Sequence, residues 1–512
     1  MNILYRACGS KNGYQSRVLE RMFKKGLFEK CVVITQTLDG KDYYPEDHYV
    51  DISAGYGYNC TYEEICDFES LPALSEELLK ALLIYKDNAM NMTGRYYNRH
   101  IYSYEEMEAD YLKHARFWNY LLDKERIGFV FMTVIPHTPW EYIIYALSKV
   151  KGIPTLLETI SNVEGLHVVG TSIEKLGANV KMVYEKGNGK PFDMDKRLYS
   201  SYLSVKENDG RVTSQYYYAP DDHKKHREDY QKWLYEVFLK KMYYLRSSSR
   251  KRIIKDIVKL RFDKLKMDVE DYLDNEYVIK KYSLIGKRNR KLEYYESRTV
   301  SPDFNDKYIF YALHMTPEAS TLPYSGVFAN QILAVRILAQ AAEKCGLKVY
   351  VKEHYMQISR NRIFYEELER LPNVFLISSD ENTLALIDNA VAVSSLTGTC
   401  MIEGIVRGKP ALGFVDFYLR NAPGFFKVSS VEDTVLAIRD IIEGNYSISE
   451  SDSYYFYSVL GKTLVRSYLD YPDYEKTLYK ENECMDDVVD LIEQFVKSGL
   501  SDDFCYFRNE NN

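Results

Sequence analysis

Between Tyr350 and Gly413 the chain changes period again and again, and this constrains its fold more than anything else in it. Short apolar runs (Tyr350 to His354, Val374 to Ile377, Ala390 to Ser394) alternate with amphipathic helical stretches. Strands that alternate with helices in this way pair in parallel, because each helix carries the chain back across the sheet. Ligands of such sheets sit beyond the carboxyl ends of the strands. Those ends carry Lys352, Glu353 and His354 on one strand and Ser394, Ser395, Thr397, Gly398 and Thr399 on another, the latter opening a helix that ends at Gly408-Lys409-Pro410. A hydroxyl- and glycine-rich turn into a helix N-terminus offers backbone N–H groups and a positive dipole end, which suits a phosphate. This half therefore reads as a nucleotide or nucleotide-sugar domain.

The first half repeats the theme. Residues 2–8 form a strand, followed by a polar turn, a helix through Lys25 and a second strand from Cys31 to Thr35, but the glycine spacing is not that of a dinucleotide fingerprint. Helical patterns occupy 72–92 and 104–125. A strand from Gly128 to Val134 then leads through His137 into a helix bearing Trp140, Ile143, Ile144, Leu147 and Val150, and on to the strand Thr155 to Glu158. His137 at a strand-to-helix turn and Glu158 at a strand end lie where α/β domains place their chemistry. The alternatives are a capping histidine and a solvated strand end.

At 512 residues the chain exceeds one ordinary core. The expected units are an N-terminal Rossmann-like acceptor domain with helical insertions (1–239), a basic helical connector (240–306), a C-terminal Rossmann-like nucleotide-sugar domain (307–430), and C-terminal helices with a loosely held polar tail (431–512). Between Lys240 and Lys291, 17 Lys/Arg oppose seven Asp/Glu, a pattern open to two readings: a helix lying on an anionic membrane surface, or a solvated bridge. A net charge of −7 argues against a nucleic-acid binder. Eight cysteines without a CxxC pair, the lack of a signal-peptide pattern and the lack of an apolar run of membrane-spanning length fit a cytoplasmic protein, peripheral on the membrane's inner face if the basic connector binds there. The 48 tyrosines suit either a tyrosine-rich core or stacking on sugars. Asp193-Met194-Asp195 matches a short metal-holding pattern, but helix-start acids are expected at that place; His223 and His226 beside Asp221 and Asp222 read as a charged loop. No metal or cofactor is expected.

The motifs of the second half, taken in order, resemble the bacterial capsular polysaccharide synthesis family, which includes retaining β-Kdo transferases. They are His314-Met315-Thr316-Pro317-Glu318-Ala319, Gly326-Val327-Phe328, Gln331, Val349 to His354, Leu371 to Val374, Thr397-Gly398-Thr399, Glu403-Gly404 and Gly408-Lys409-Pro410. The likeness covers mainly 307–425, with an echo at Ile135-Pro136-His137; it departs from the family at Tyr355, where a proline is usual. It implies a GT-B-like α/β fold of two Rossmann-like domains with parallel sheets facing a cleft, the donor nucleotide on the second and a polysaccharide or lipid-linked glycan acceptor on the first. The implied activity is a glycosyltransferase using a nucleotide-sugar donor such as CMP-Kdo. His314, Lys352, His354, Ser394, Ser395, Thr397, Gly398, Thr399 and Glu403 would hold the donor. Glu158 or Glu318 would be the nucleophile of a retaining reaction, with His137 taking the acceptor's proton. The alternatives are a CDP-polyol phosphotransferase with His137 and His354 as acid and base, and a non-catalytic protein of the same fold that binds glycan or a partner.

Overall fold

The computed structural model describes residues 1–7, 14–35, 49–93, 103–161, 163, 165–187, 189–207, 294–316, 318–354, 357, 360–444, 446–468 and 479–508. His223, His226 and the basic segment 240–291 lie outside the described residues.

In the first half the strands are β1 (Asn2–Arg6), β2 (Lys30–Thr35), β3 (Tyr49–Ser53), β4 (Ile127–Met132), β5 (Thr155–Ile160) and β6 (Leu166–Gly170). Its helices are α1 (Tyr14–Lys24), α2 (Ala54–Asn59), α3 (Glu76–Met92), α4 (Tyr104–Lys124), α5 (Pro139–Val150), α6 (Ala178–Lys186) and α7 (Lys196–Glu207). The second half carries β7 (Tyr308–Ala312), β8 (Lys348–Lys352), β9 (Val374–Ile377), β10 (Ala392–Ser395), β11 (Ala411–Gly413) and β12 (Phe425–Lys427), then β13 (Val465–Arg466). Its helices are α8 (Gln331–Lys344), α9 (Arg362–Glu369), α10 (Thr383–Asn389), α11 (Thr399–Val406), α12 (Val431–Ile442), α13 (Glu450–Thr463) and α14 (Glu481–Lys497).

Local chemistry sets the helix ends. Ser103 and Glu106 form a reciprocal capping box at the start of α4, and Thr138 caps α5 with Pro139 in its first turn. Asp195 receives the N–H groups of Arg197 and Leu198 at 2.9 and 2.8 Å, so this half of the Asp-x-Asp match caps α7. Gly404 lets α11 lie close on β10, since a Cβ there would come within 2.6 Å of Val393.

The expected pair of Rossmann-like domains is present. The second sheet runs β12-β11-β10-β7-β8-β9, all parallel. Counted within its own unit and read from β9, that is the order third, second, first, fourth, fifth, sixth of the doubly wound nucleotide-binding fold. The first sheet has the same parallel centre, β3-β2-β1-β4-β5, and is extended by β6 antiparallel to β5 and β13 antiparallel to β6. β13 comes from the C-terminal region, so the chain returns to its first sheet at the end, and α14 packs on α1. The described part of the tail, expected to be loose, is held as far as Tyr506: Asn179 donates to the Tyr506 carbonyl at 2.9 Å, Thr171 to that of Asp502 at 2.8 Å, and Tyr506 is buried. A polar sequence conceals these anchors because they are backbone carbonyls.

One apolar core runs from the first sheet through α6, α7 and α13 to α10 and α11. A second lies on the other face of the second sheet, beneath α8, α9 and α12. Arg407, just past α11, ties the units together by donating to the Val205 and Lys206 carbonyls of α7 at 2.7 and 2.9 Å while pairing with Asp388. Many tyrosines are core residues, among them Tyr5, Tyr14, Tyr62, Tyr295, Tyr308 and Tyr468, and their hydroxyls bond inside the protein, as Tyr308 does to the Leu386 carbonyl at 2.7 Å. Among the described residues no helix is long and apolar enough to cross a membrane.

Candidate functional site

The crossovers of a doubly wound sheet leave to opposite faces at the point where the strand order reverses, opening a crevice at the carboxyl edge. In the second sheet that point lies between β7 and β10. The turns after these two strands meet there: the Nε2 atom of His314 accepts the backbone N–H of Thr397 at 3.0 Å. An N–H donor requires a lone pair, so the neutral ring carries its proton on Nδ1. Burial first, then the positive charges of His354 and Arg360, lower the His314 imidazolium to about 3, so the ring is neutral at physiological pH.

Two glutamines hold the turn after β7 as though they were backbone. Gln331, fully buried at the start of α8, accepts the His314 N–H at 2.8 Å and donates to its carbonyl at 2.9 Å. Gln357 does the same for Thr316, at 2.7 and 3.0 Å. Behind them lies a buried ion pair, Glu353 with Arg360 at 2.6 Å. Tyr365 donates to this carboxylate at 2.8 Å, as does the His354 N–H at 2.7 Å, and Arg360 reaches the His314 carbonyl at 2.5 Å. Glu353 therefore pairs with an arginine seven positions on. Arg360 and Gln357 were missed because they sit in an irregular stretch with no periodicity; Gln331 stood within the motif series without a role.

α11 starts at Gly398 with no side-chain cap, and Thr397, Gly398 and Thr399 are partly exposed. A Cβ on Gly398 would come within 2.6 Å of the Ser395 hydroxyl, so glycine is needed for the close turn. Ser394 and Ser395, expected to meet phosphate, do not reach the crevice. Both are fully buried, and their hydroxyls donate to the Leu412 and Ala312 carbonyls at 2.7 and 2.8 Å, tying β10 to its neighbours. Lys352 donates to the Glu381 carbonyl at 2.5 Å and to the Thr383 hydroxyl at 2.7 Å, and burial lowers its ammonium to about 8 against the pull of Glu381 and Asp380. Glu403, one turn into α11, is 5% exposed, and its Oε2 has no hydrogen-bond partner. Burial raises its carboxyl to about 7, with Lys352 and Arg407 restraining the rise.

The first sheet reverses order between β1 and β4, and a second cluster marks that edge. Arg6, the last residue of β1, pairs with Glu141 of α5 at 2.7 Å, both side chains being at most 2% exposed. His137, in the turn from β4 to α5, is about one-third exposed; its Nδ1 lies 2.7 Å from the Ile135 carbonyl and 3.8 Å from Glu141. Glu141 was not anticipated, because it sits among the buried apolar residues of α5 and its partner is 135 positions away.

Neither proposed nucleophile is disposed as expected. Glu158, read as a strand-end residue, lies inside β5, is wholly buried and meets the equally buried His167 at 2.6 Å, since β6 pairs antiparallel with β5 there. Glu318 turns back on its own loop, its carboxylate accepting the Ser320 N–H at 2.7 Å. The structure brings together His314, Thr397, Gly398, Thr399 and the loop of His354, with Lys352 and Glu403 on the strand and helix beside them, and places His137 at the edge of the other sheet.

No family model matches the chain, and no curated protein does. Among solved structures, a glycosyltransferase from Rickettsia africae ESF-5 is similar at 9% identity over 97% of this chain and 98% of that one, with a TM-score of 0.28. UDP-GlcNAc 2-epimerase from Methanocaldococcus jannaschii in complex with UDP-GlcNAc and UDP is similar at 10% identity over 89% and 97%, TM-score 0.28. A mutant of S. aureus TarM is similar at 14% identity with a TM-score of 0.24; the match spans 38% of this chain and 37% of that one, little more than a third of either.

Proposed function

We propose that this protein is a glycosyltransferase that takes a sugar from a nucleotide donor, with the donor on the second unit and the acceptor on the first. The observation that carries this reading is the start of α11, without a side-chain cap, at the point of strand-order reversal, with neutral His314 bonded to the same turn and the Oε2 of buried Glu403 without a hydrogen-bond partner one turn further on. The donor's phosphates would meet the N–H groups at Gly398 and Thr399, with the Nδ1–H of His314 as a further neutral donor. Fixed donors of this kind stabilise the charge that grows on a departing phosphate. Glu403 would accept ribose hydroxyls, satisfying its open oxygen.

At the first sheet His137 would take the proton of the acceptor hydroxyl as that oxygen bonds to the sugar's anomeric carbon. The nucleotide phosphate leaves with the electrons of the broken bond. Glu158 and Glu318 are engaged elsewhere, so no covalent nucleophile is assigned. The motif series from His314 to Pro410 supports CMP-Kdo or a related CMP-sugar as donor and a capsular or surface glycan as acceptor.

A thermal-shift panel of CMP, CDP, UDP, GDP and their sugar or polyol conjugates tests the reading. A ligand of the folded state stabilises it by about 2.7 kcal/mol at a hundredfold excess over its dissociation constant. A shift with CMP or a CMP-sugar is expected, and it should be lost in Glu403→Ala. A response to CDP-polyol alone, with phosphorus retained in the product, would replace the reading with a phosphotransferase. No response to any nucleotide would overturn it.

A further inference from the structure

The turn between β4 and α5 holds a charge arrangement that packing alone does not require. We infer that Glu141 is a positioning residue that holds the His137 turn so that the Ile135 carbonyl keeps the ring in the tautomer a proton acceptor needs; this rests on the reading of His137 as the base. The Ile135 carbonyl lies 2.7 Å from Nδ1 of His137. A carbonyl oxygen only accepts, so Nδ1 carries the hydrogen of the neutral ring and Nε2 keeps the lone pair. Glu141 secures the turn from below: its Oε2 accepts the His137 backbone N–H at 3.4 Å and lies 3.8 Å from Nδ1.

A carboxylate so buried needs a fixed counter-charge, and Arg6 provides it at 2.7 Å. Arg6 is itself committed. It donates to the Tyr58 hydroxyl at 3.3 Å and to the Ala7 carbonyl, and its guanidinium lies 5.1 Å from the centre of the Trp140 ring. It therefore holds Glu141 in place. Burial opposes ionisation of Glu141, but Arg6 and then His137 outweigh it, and the carboxyl lies below its ordinary range. Thr138 accepts the Glu141 N–H at 3.4 Å, so the anion also sits in the first turn of α5, where the helix dipole favours it. When Nε2 receives the acceptor's proton, the new imidazolium is formed within 3.8 Å of a carboxylate that does not have to move.

The test reads the His137 ring by long-range proton–nitrogen correlation in nitrogen-15-labelled full-length protein, assigned with H137N. Wild type is expected to show the Nδ1–H form alone. E141Q is expected to show a mixture in which Nε2–H appears. E141D keeps a charge against Arg6 but draws it back from the ring by one methylene; it should show a smaller Nε2–H share and decides the matter if E141Q does not fold. An Nε2–H ring in wild type overturns the inference, as do variant spectra identical to wild type. The spectrum needs no turnover, so it stands or falls separately from the transferase reading. With turnover in hand, E141Q should lower kcat about tenfold or more at an unchanged donor KM.

Discussion

His314 and Thr397 are 83 residues apart, yet the imidazole of one accepts the backbone N–H of the other at 3.0 Å. This bond joins the turns that follow two neighbouring strands of the second sheet, at the one place where the sheet's connections part. It also spends the Thr397 N–H, which is therefore not among the proposed anion donors.

Gln331 controls this junction. Gln331→Leu keeps the shape but leaves the His314 N–H and carbonyl without the side chain that pairs them. The expected loss is about 1–3 kcal/mol for each buried group left unpaired. Urea unfolding should show a lower midpoint at unchanged slope, and the nucleotide thermal shift should shrink with it.

Gly398→Ala should disturb the turn through crowding, since φ there is −71° and imposes no strain on alanine. The added Cβ would lie 2.6 Å from the Ser395 hydroxyl and 3.0 Å from its Cβ, forcing Ser395 off the Ala312 carbonyl. A loss of about 1–3 kcal/mol is expected. Melting temperature and nucleotide response, measured on one preparation, should both fall; a wild-type response would refute the need for close approach.

Arg360→Met should be among the most destabilising changes in the second unit. It leaves the Glu353 carboxylate buried without its ion-pair partner, a loss of about 3–5 kcal/mol. Replacing both residues with apolar ones should recover part of that loss, which paired denaturation curves would show.

Glu403 should make stability fall as pH rises. Its folded value of about 7 lies above the ordinary 4.5, so between these limits the folded protein keeps a proton that the unfolded chain has lost. The contribution is fully present below 4.5 and is lost as pH rises through about 7, at no more than about 1.4 kcal/mol per pH unit. Glu403→Gln should flatten this slope, as denaturant midpoints at about pH 5 and about pH 8 would reveal.

Much of the fold was legible because apolar periodicity survives in a single chain. The strand Val374–Ile377 and the helices through 76–92 and 104–124 fall where the pattern puts them. β3 escaped notice because Asp51 interrupts its apolar run, and β6 because it carries His167. β13 has two residues, too few for any pattern, and the tyrosine-rich face of α13 reads as neither polar nor apolar.

Of the candidate site, the turn at Thr397 to Thr399 was visible because glycine and hydroxyl residues before a helix have a local meaning. The fates of the carboxylates were not. Glu158 lies within β5, Glu353 directly follows β8 and Glu318 stands in the loop after β7, and nothing local says which is buried against His167, which braces its own loop and which pairs with Arg360.

By itself, then, the sequence determined the alternation of strand and helix, the parallel sheets that follow from it, and the edge where chemistry gathers, since these depend on the period of apolar residues along a few turns of chain. Only the tertiary structure decided which polar side chains stay available at that edge. A buried charge needs a partner, and Glu141 finds its own in Arg6, 135 positions away, through strand pairing and helix packing that bring distant residues together.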